Sequence, residues 1–124
     1  MKTGILLFAH GSRTREWAAP FERIGERIAA RRSDTAVVCA YLELMSPDFH
    51  SAVDGLVEQG VARITVAPLF LASGSHVQHD LPRLVEEAIE RHPQLRIRVL
   101  PVIGEAEALL DAIAAWVADQ SFEG

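Results

Sequence analysis

GILLFAHGS, residues 4–12, decides how the rest of the chain is read. The run GILLFA shows no polar alternation, so a strand here is expected to have both faces covered. Strands of that kind belong to parallel sheets with helices on each side. The run stops at His10-Gly11-Ser12, where a buried strand hands over to residues that can bind, turn tightly or cap. The same apolar pattern returns at AVVCAYL (36–42), ITVAPLFL (64–71) and IRVLPVI (97–103).

Between these runs the apolar residues recur at helical spacing. Phe21, Ile24, Ile28 and Ala29 mark one face, and Phe49, Val53, Leu56 and Val57 a second. Leu84, Val85, Ala88 and Ile89 mark a third, and Leu109, Leu110, Ile113 and Val117 a fourth. Ser46-Pro47 reads as an N-cap followed by proline at the first helical position. Gly60 reads as the C-cap of the second helix, and Asp80 or a neighbour as the cap of the third. The expected fold is β-α-β-α-β-α-β-α: an α/β three-layer sandwich around a four-stranded parallel sheet. Residues 1–124 are expected to form one domain, with 118–124 a frayed tail.

Composition narrows the function. The chain is 49% apolar and carries 12 basic against 17 acidic side chains, a formal net charge of −5. That balance gives no general attraction for nucleic acid or an anionic membrane. A lone cysteine, Cys39, excludes an intrachain disulfide and reads as a buried, reduced thiol. The opening MKTGILLFAHGS is too short to span a membrane and lacks a convincing cleavage region, so a cytoplasmic protein is expected.

Ligands of open α/β sheets bind beyond the carboxyl ends of the strands. His10 follows the first strand, Glu43 the second, and His76 lies in the loop after the third, so one sheet edge should collect all three. Each has an ordinary alternative: a backbone-bonded histidine, a solvated glutamate, a polar loop residue. Glu43 with two imidazoles would make a mixed N/O ligand set suited to Fe²⁺, Co²⁺, Ni²⁺ or Zn²⁺ more than to Mg²⁺. His79 reads as solvent-facing, and His50 and His92 are given no chemistry. The chain has no G-x-G-x-x-G, no phosphate loop and no G-x-S-x-G, so neither a nucleotide nor a serine nucleophile is expected.

Three linked stretches, LLFAHGSR (6–13), YLELMSP (41–47) and PLFLASGSHVQHDLP (68–82), resemble the small sirohydrochlorin chelatases of cobalamin and sirohaem synthesis. The resemblance runs over nearly the whole chain and matches the short form, which is similar to one half of a longer two-domain chelatase. It implies insertion of a divalent metal into sirohydrochlorin, Co²⁺ ahead of Fe²⁺ with Ni²⁺ within range, and no nucleotide or redox cofactor. It also implies His10, Glu43 and His76 as metal-handling and catalytic residues, and a homodimer with clefts shared between subunits. Ser12, Arg13, Arg15, Gly74 and Ser75 become candidates for holding the substrate's carboxylates, with Ser73 a further hydroxyl nearby. Leu44, Met45, Leu69 and Phe70 are candidate apolar contacts, and Trp17 and Trp116 packing residues at the cleft rim or a subunit contact. A non-catalytic tetrapyrrole or metal carrier on the same fold stays open at this point.

Overall fold

The computed structural model describes residues 2–72 and 74–123, and at Ser75 and His76 the backbone only. Four parallel strands, β1 (Lys2–Ala9), β2 (Thr35–Tyr41), β3 (Val61–Pro68) and β4 (Arg96–Val99), lie in the order β2-β1-β3-β4. Four helices follow them: α1 (Ala19–Arg31), α2 (Phe49–Glu58), α3 (Ser75–Arg91) and α4 (Glu107–Gln120). The fold is the α/β arrangement expected, with helices on both sides of a parallel sheet.

Alternation along the central strand assigns the layers. Leu6 and Phe8 point into the main core with Phe49, Val53, Leu56, Ile64 and Val66, under α2 and α3. Phe8 meets Phe49 edge-on with ring centroids 5.6 Å apart. Leu7 points the other way, where Gly25 of α1 comes close to Leu7, Val37 and Cys39. That close approach corrects the expected face of α1: Phe21, Gly25 and Ile28 face inward, and Ile24 is 41% exposed.

Other boundaries also move. Asp48, not Ser46, caps α2, its carboxylate accepting the Ser51 N–H at 2.8 Å. Ser46-Pro47 belongs instead to the preceding loop, where a cis peptide bond joins the two and the Pro47 carbonyl accepts the Tyr41 N–H. Gly60, with φ +88°, follows α2 as expected. Helix α3 starts at Ser75 behind Gly74, so Asp80 lies inside the helix and Gly74 takes the N-cap position. Strand β4 ends at Val99 and is an exposed edge, although its apolar run predicted cover on both faces. Helix α4 continues to Gln120, into the expected tail, and none of its residues is buried.

Candidate functional site

The carboxyl ends of β1 and β2 are locked together past the last paired residues. Leu42 donates its N–H to the Ala9 carbonyl at 2.9 Å, and Glu43 donates to the His10 carbonyl at 3.1 Å. Gly11 makes this approach possible. Its φ is +99°, and a Cβ there would sit 1.9 Å from the Glu43 carbonyl oxygen. Only glycine fits a left-handed position pressed so closely against backbone. The consequence is chemical: His10 Nε2 and Glu43 Oε1 stand 3.3 Å apart. Their side chains remain 49% and 55% exposed, so the pair is open to an incoming ion. Phe70 supports the imidazole edge-on, with ring centroids 6.4 Å apart.

The pair opens on a cleft of about 360 Å³ whose further lining includes Asp48, His50, Asp80 and Arg83. Asp48 is held in place by its cap, and the Ser51 backbone N–H keeps its carboxyl below the usual range. On the far wall, Arg83 reaches Asp80 at 3.5 Å and Glu87 at 3.2 Å. Glu87 in turn meets His50 Nε2 at 2.9 Å. That bond first, and the Arg83 guanidinium after it, lowers the Glu87 pKa. His50 Nδ1 is buried and has no hydrogen-bond partner among the described residues. The cleft therefore carries imidazole, carboxylate and guanidinium groups at one strand-end edge.

The sequence-derived residues fall into three groups. His10 and Glu43 are brought together as expected. The backbone of His76 lies in the first turn of α3, directly after Ser75, but both side chains lie outside the described ones, as does Ser73 entirely. Among the described residues no group of three His, Cys, Asp or Glu side chains is placed to hold one ion. Ser12 accepts the Thr14 N–H at 3.1 Å, within the turn before a 3₁₀ segment over Arg15–Ala18, so it does not cap α1. Arg13 and Arg15 are exposed near this turn and do not line the cleft. Asp48, His50 and Arg83 were not anticipated. His50 had only its place on a helix as a signal, and its partner Glu87 is 37 residues away. His79 is exposed, and His92 is engaged elsewhere, 2.7 Å from Asp54.

Cys39 is half-buried and free, its thiol directed at the Phe21 carbonyl. Burial, with nearby Glu22, pushes its pKa up, and burial likewise pushes the Tyr41 phenol up to about 12. Neither is poised as a nucleophile.

The CbiX family model matches residues 4–120. The chain belongs to the CbiX family. Among its relatives, the sirohydrochlorin ferrochelatase of Priestia megaterium is 30% identical over 109 residues, covering 88% of this chain and 41% of that protein. The sirohydrochlorin cobaltochelatase of Methanosarcina barkeri (strain Fusaro / DSM 804) is 36% identical over 84 residues, covering 68% of this chain and 65% of the relative. The crystal structure of the sirohydrochlorin chelatase SirB from Bacillus subtilis subspecies spizizenii, in complex with cobalt, superposes with a TM-score of 0.83 at 31% identity. That likeness covers 97% of this chain and 51% of SirB. This CbiX chain thus spans between 41% and 65% of the length of these three relatives.

Proposed function

We propose that this chain inserts a divalent first-row metal into sirohydrochlorin. The observation that carries the reading is the His10–Glu43 pair, 3.3 Å apart and open to a charged cleft at the strand-end edge. An enclosed ligand set suits a permanent ion; a half-exposed imidazole and carboxylate suit one that enters and leaves. The family and its relatives' names supply the substrate class. Co²⁺ is placed ahead of Fe²⁺ on the likeness to the short form, with Ni²⁺ within the range of the same ligands.

In this reading M²⁺ is held by the neutral His10 imidazole, the Glu43 carboxylate and His76 as third ligand, and sheds water as the macrocycle arrives. Two pyrrole N–H bonds break, their electron pairs bind the metal, and two protons leave. Glu43 assists both the ion and the proton traffic, since an imidazole cannot ligate and accept a proton through one lone pair. Arg13 and Arg15, which do not line the cleft, and Ser12, Gly74 and Ser75 take the substrate's peripheral carboxylates beyond it, with Arg83 added as a cleft-wall partner. The rate gain comes from positioning and ordered replacement of solvent ligands, without nucleotide or redox cofactor. A cleft of about 360 Å³ is small for a macrocycle with eight carboxylates, which favours completion of the site by a second subunit. The reading takes the setting as cytoplasmic.

Anaerobic absorbance of sirohydrochlorin conversion tests this, with Co²⁺, Fe²⁺ and Ni²⁺ at equal free metal and a no-enzyme control for each. A protein-dependent rate lost in His10→Ala, His76→Ala and Glu43→Gln is the expected result, with Co²⁺ fastest. Rates equal to the controls with tetrapyrrole still bound would reject the enzyme and leave a carrier.

A further inference from the structure

Leu44 holds a backbone conformation that leucine disfavours, and its side chain gains little burial in return. Its φ is +68°, in the left-handed region where an L side chain crowds its own backbone. The turn accounts for the conformation. It reverses the chain after Glu43, so that Met45 packs back against Ala9, Ala18 and Tyr41, and the Pro47 carbonyl accepts the Tyr41 N–H. Nothing in that reversal asks for leucine, since glycine or asparagine makes it with less strain. Yet the position carries a large apolar side chain that stays 55% exposed. Strain kept without burial points to contact with something outside the chain.

A second exposed leucine stands on the other side of the site. Leu71, in the loop after β3, is 64% exposed. Its backbone is fixed: Gly104 lies so close to the Leu71 carbonyl that no side chain fits there, and Gly104 directs its own N–H to the Phe70 carbonyl. The two leucines are placed alike. Leu44 follows Glu43, which pairs with His10, and Leu71 follows Phe70, which meets the His10 ring edge-on. Strand β1 lies between β2 and β3, so the loops that carry them leave the sheet about 10 Å apart, twice the strand spacing, with His10 between. Exposed apolar side chains thus flank the open imidazole–carboxylate pair, while the cleft beside it collects the charged groups.

We propose that Leu44 and Leu71 form the apolar seat of the tetrapyrrole ring and set the affinity for it. The macrocycle of the reading above is flat and carries its charges on its periphery. Its ring therefore needs apolar contact beside the metal-handling pair, and the two leucines supply it. The inference rests on the chelatase reading.

Anaerobic titration of the full chain with metal-free sirohydrochlorin, followed by its fluorescence, tests the seat. Co²⁺ titration calorimetry and thermal unfolding accompany it. Leu44→Asn and Leu71→Asn should each weaken sirohydrochlorin binding about five- to tenfold, as loss of one partly buried leucine contact does. Co²⁺ affinity should be unchanged, since neither side chain is a metal ligand. Leu44→Asn should melt no lower than the wild type, because asparagine tolerates the left-handed conformation. Leu44→Met, which keeps an apolar contact, should bind sirohydrochlorin as the wild type does. Wild-type affinity in either asparagine variant would overturn the seat. So would a Leu44→Asn chain that melts lower and loses Co²⁺ affinity, or a Leu44→Met chain that binds as weakly as Leu44→Asn. In each of these cases turnover by the wild type leaves the chelatase reading standing. A wild-type chain that binds no sirohydrochlorin would overturn both.

Discussion

Gly11→Ala should damage this protein out of proportion to one methyl group. Two costs add. An L-residue at φ +99° sits in a left-handed region that costs roughly 1–2 kcal/mol. The new Cβ would also lie 1.9 Å from the Glu43 carbonyl oxygen, well inside contact distance, and that oxygen is backbone that cannot rotate away. Relief requires β1 and β2 to part at their ends, an overpacking cost of about 1–3 kcal/mol. The sum, about 2–5 kcal/mol, is a large share of the roughly 5–15 kcal/mol that holds a domain folded. For a chain of this size it should lower the melting temperature by about 10–20 °C. The same parting strains the Leu42–Ala9 and Glu43–His10 hydrogen bonds, so the His10–Glu43 pair should lose its geometry even where the chain stays folded. Thermal unfolding by circular dichroism and Co²⁺ titration calorimetry well below the transition would measure the two effects. Gly74→Ala is the control for melting: its φ is −76° and a Cβ there meets nothing within 4 Å among the described residues. A Gly11→Ala protein that melts with the wild type and binds Co²⁺ equally well would refute this account of the turn.

Three further outcomes follow from local chemistry. Asp48→Ala should cost about 1 kcal/mol of stability at pH 7 through loss of the α2 cap, read by urea unfolding. Because the folded pKa of Asp48 is lowered, that contribution is present above its unfolded value of about 4 and is lost as pH falls through the folded value, so the difference between variant and wild type should shrink in acid. Gly55→Ala, within α2 with nothing within 4 Å of a new Cβ, should stabilise the chain by about 0.5–1 kcal/mol; a lower urea midpoint would contradict the open space there. Cys39, its thiol pKa raised by burial, should react with iodoacetamide at pH 8 several-fold more slowly than free cysteine, and equal rates would contradict its packing.

The strands were legible because a parallel sheet leaves a direct trace: GILLFA, AVVCAYL and ITVAPLFL are apolar on both faces, as β1, β2 and β3 require. The edge of the site was legible for the same reason, since topology alone sends His10 and Glu43 to one end of the sheet. Hidden from the sequence was everything set by a distant neighbour. Ile24 and Gly25 compete for the inner face of α1, and only the nearness of Leu7 and Val37 decides for the glycine. Ser46 and Asp48 are both good caps, and the choice falls to Asp48 because the residues before it turn back to Tyr41. His50 reads as a surface histidine until Glu87 and Arg83 are placed opposite it.

Helix α4 shows the limit of periodicity most clearly. Its spacing correctly announces an apolar stripe, and in α2 the same signal means burial in the chain's own core. A stripe, however, specifies only that something apolar must cover it, and in α4 the chain's own sheet does not. Trp116, read from sequence as a packing residue at the cleft rim or a subunit contact, is 67% exposed in the single chain. The basic sheet face is hidden from the sequence in the same way, since Arg63, Arg96 and Arg98 come together only when β3 and β4 are in register. Arginines on alternate positions of a strand read individually as solvated residues; in register on adjacent strands they become one basic surface.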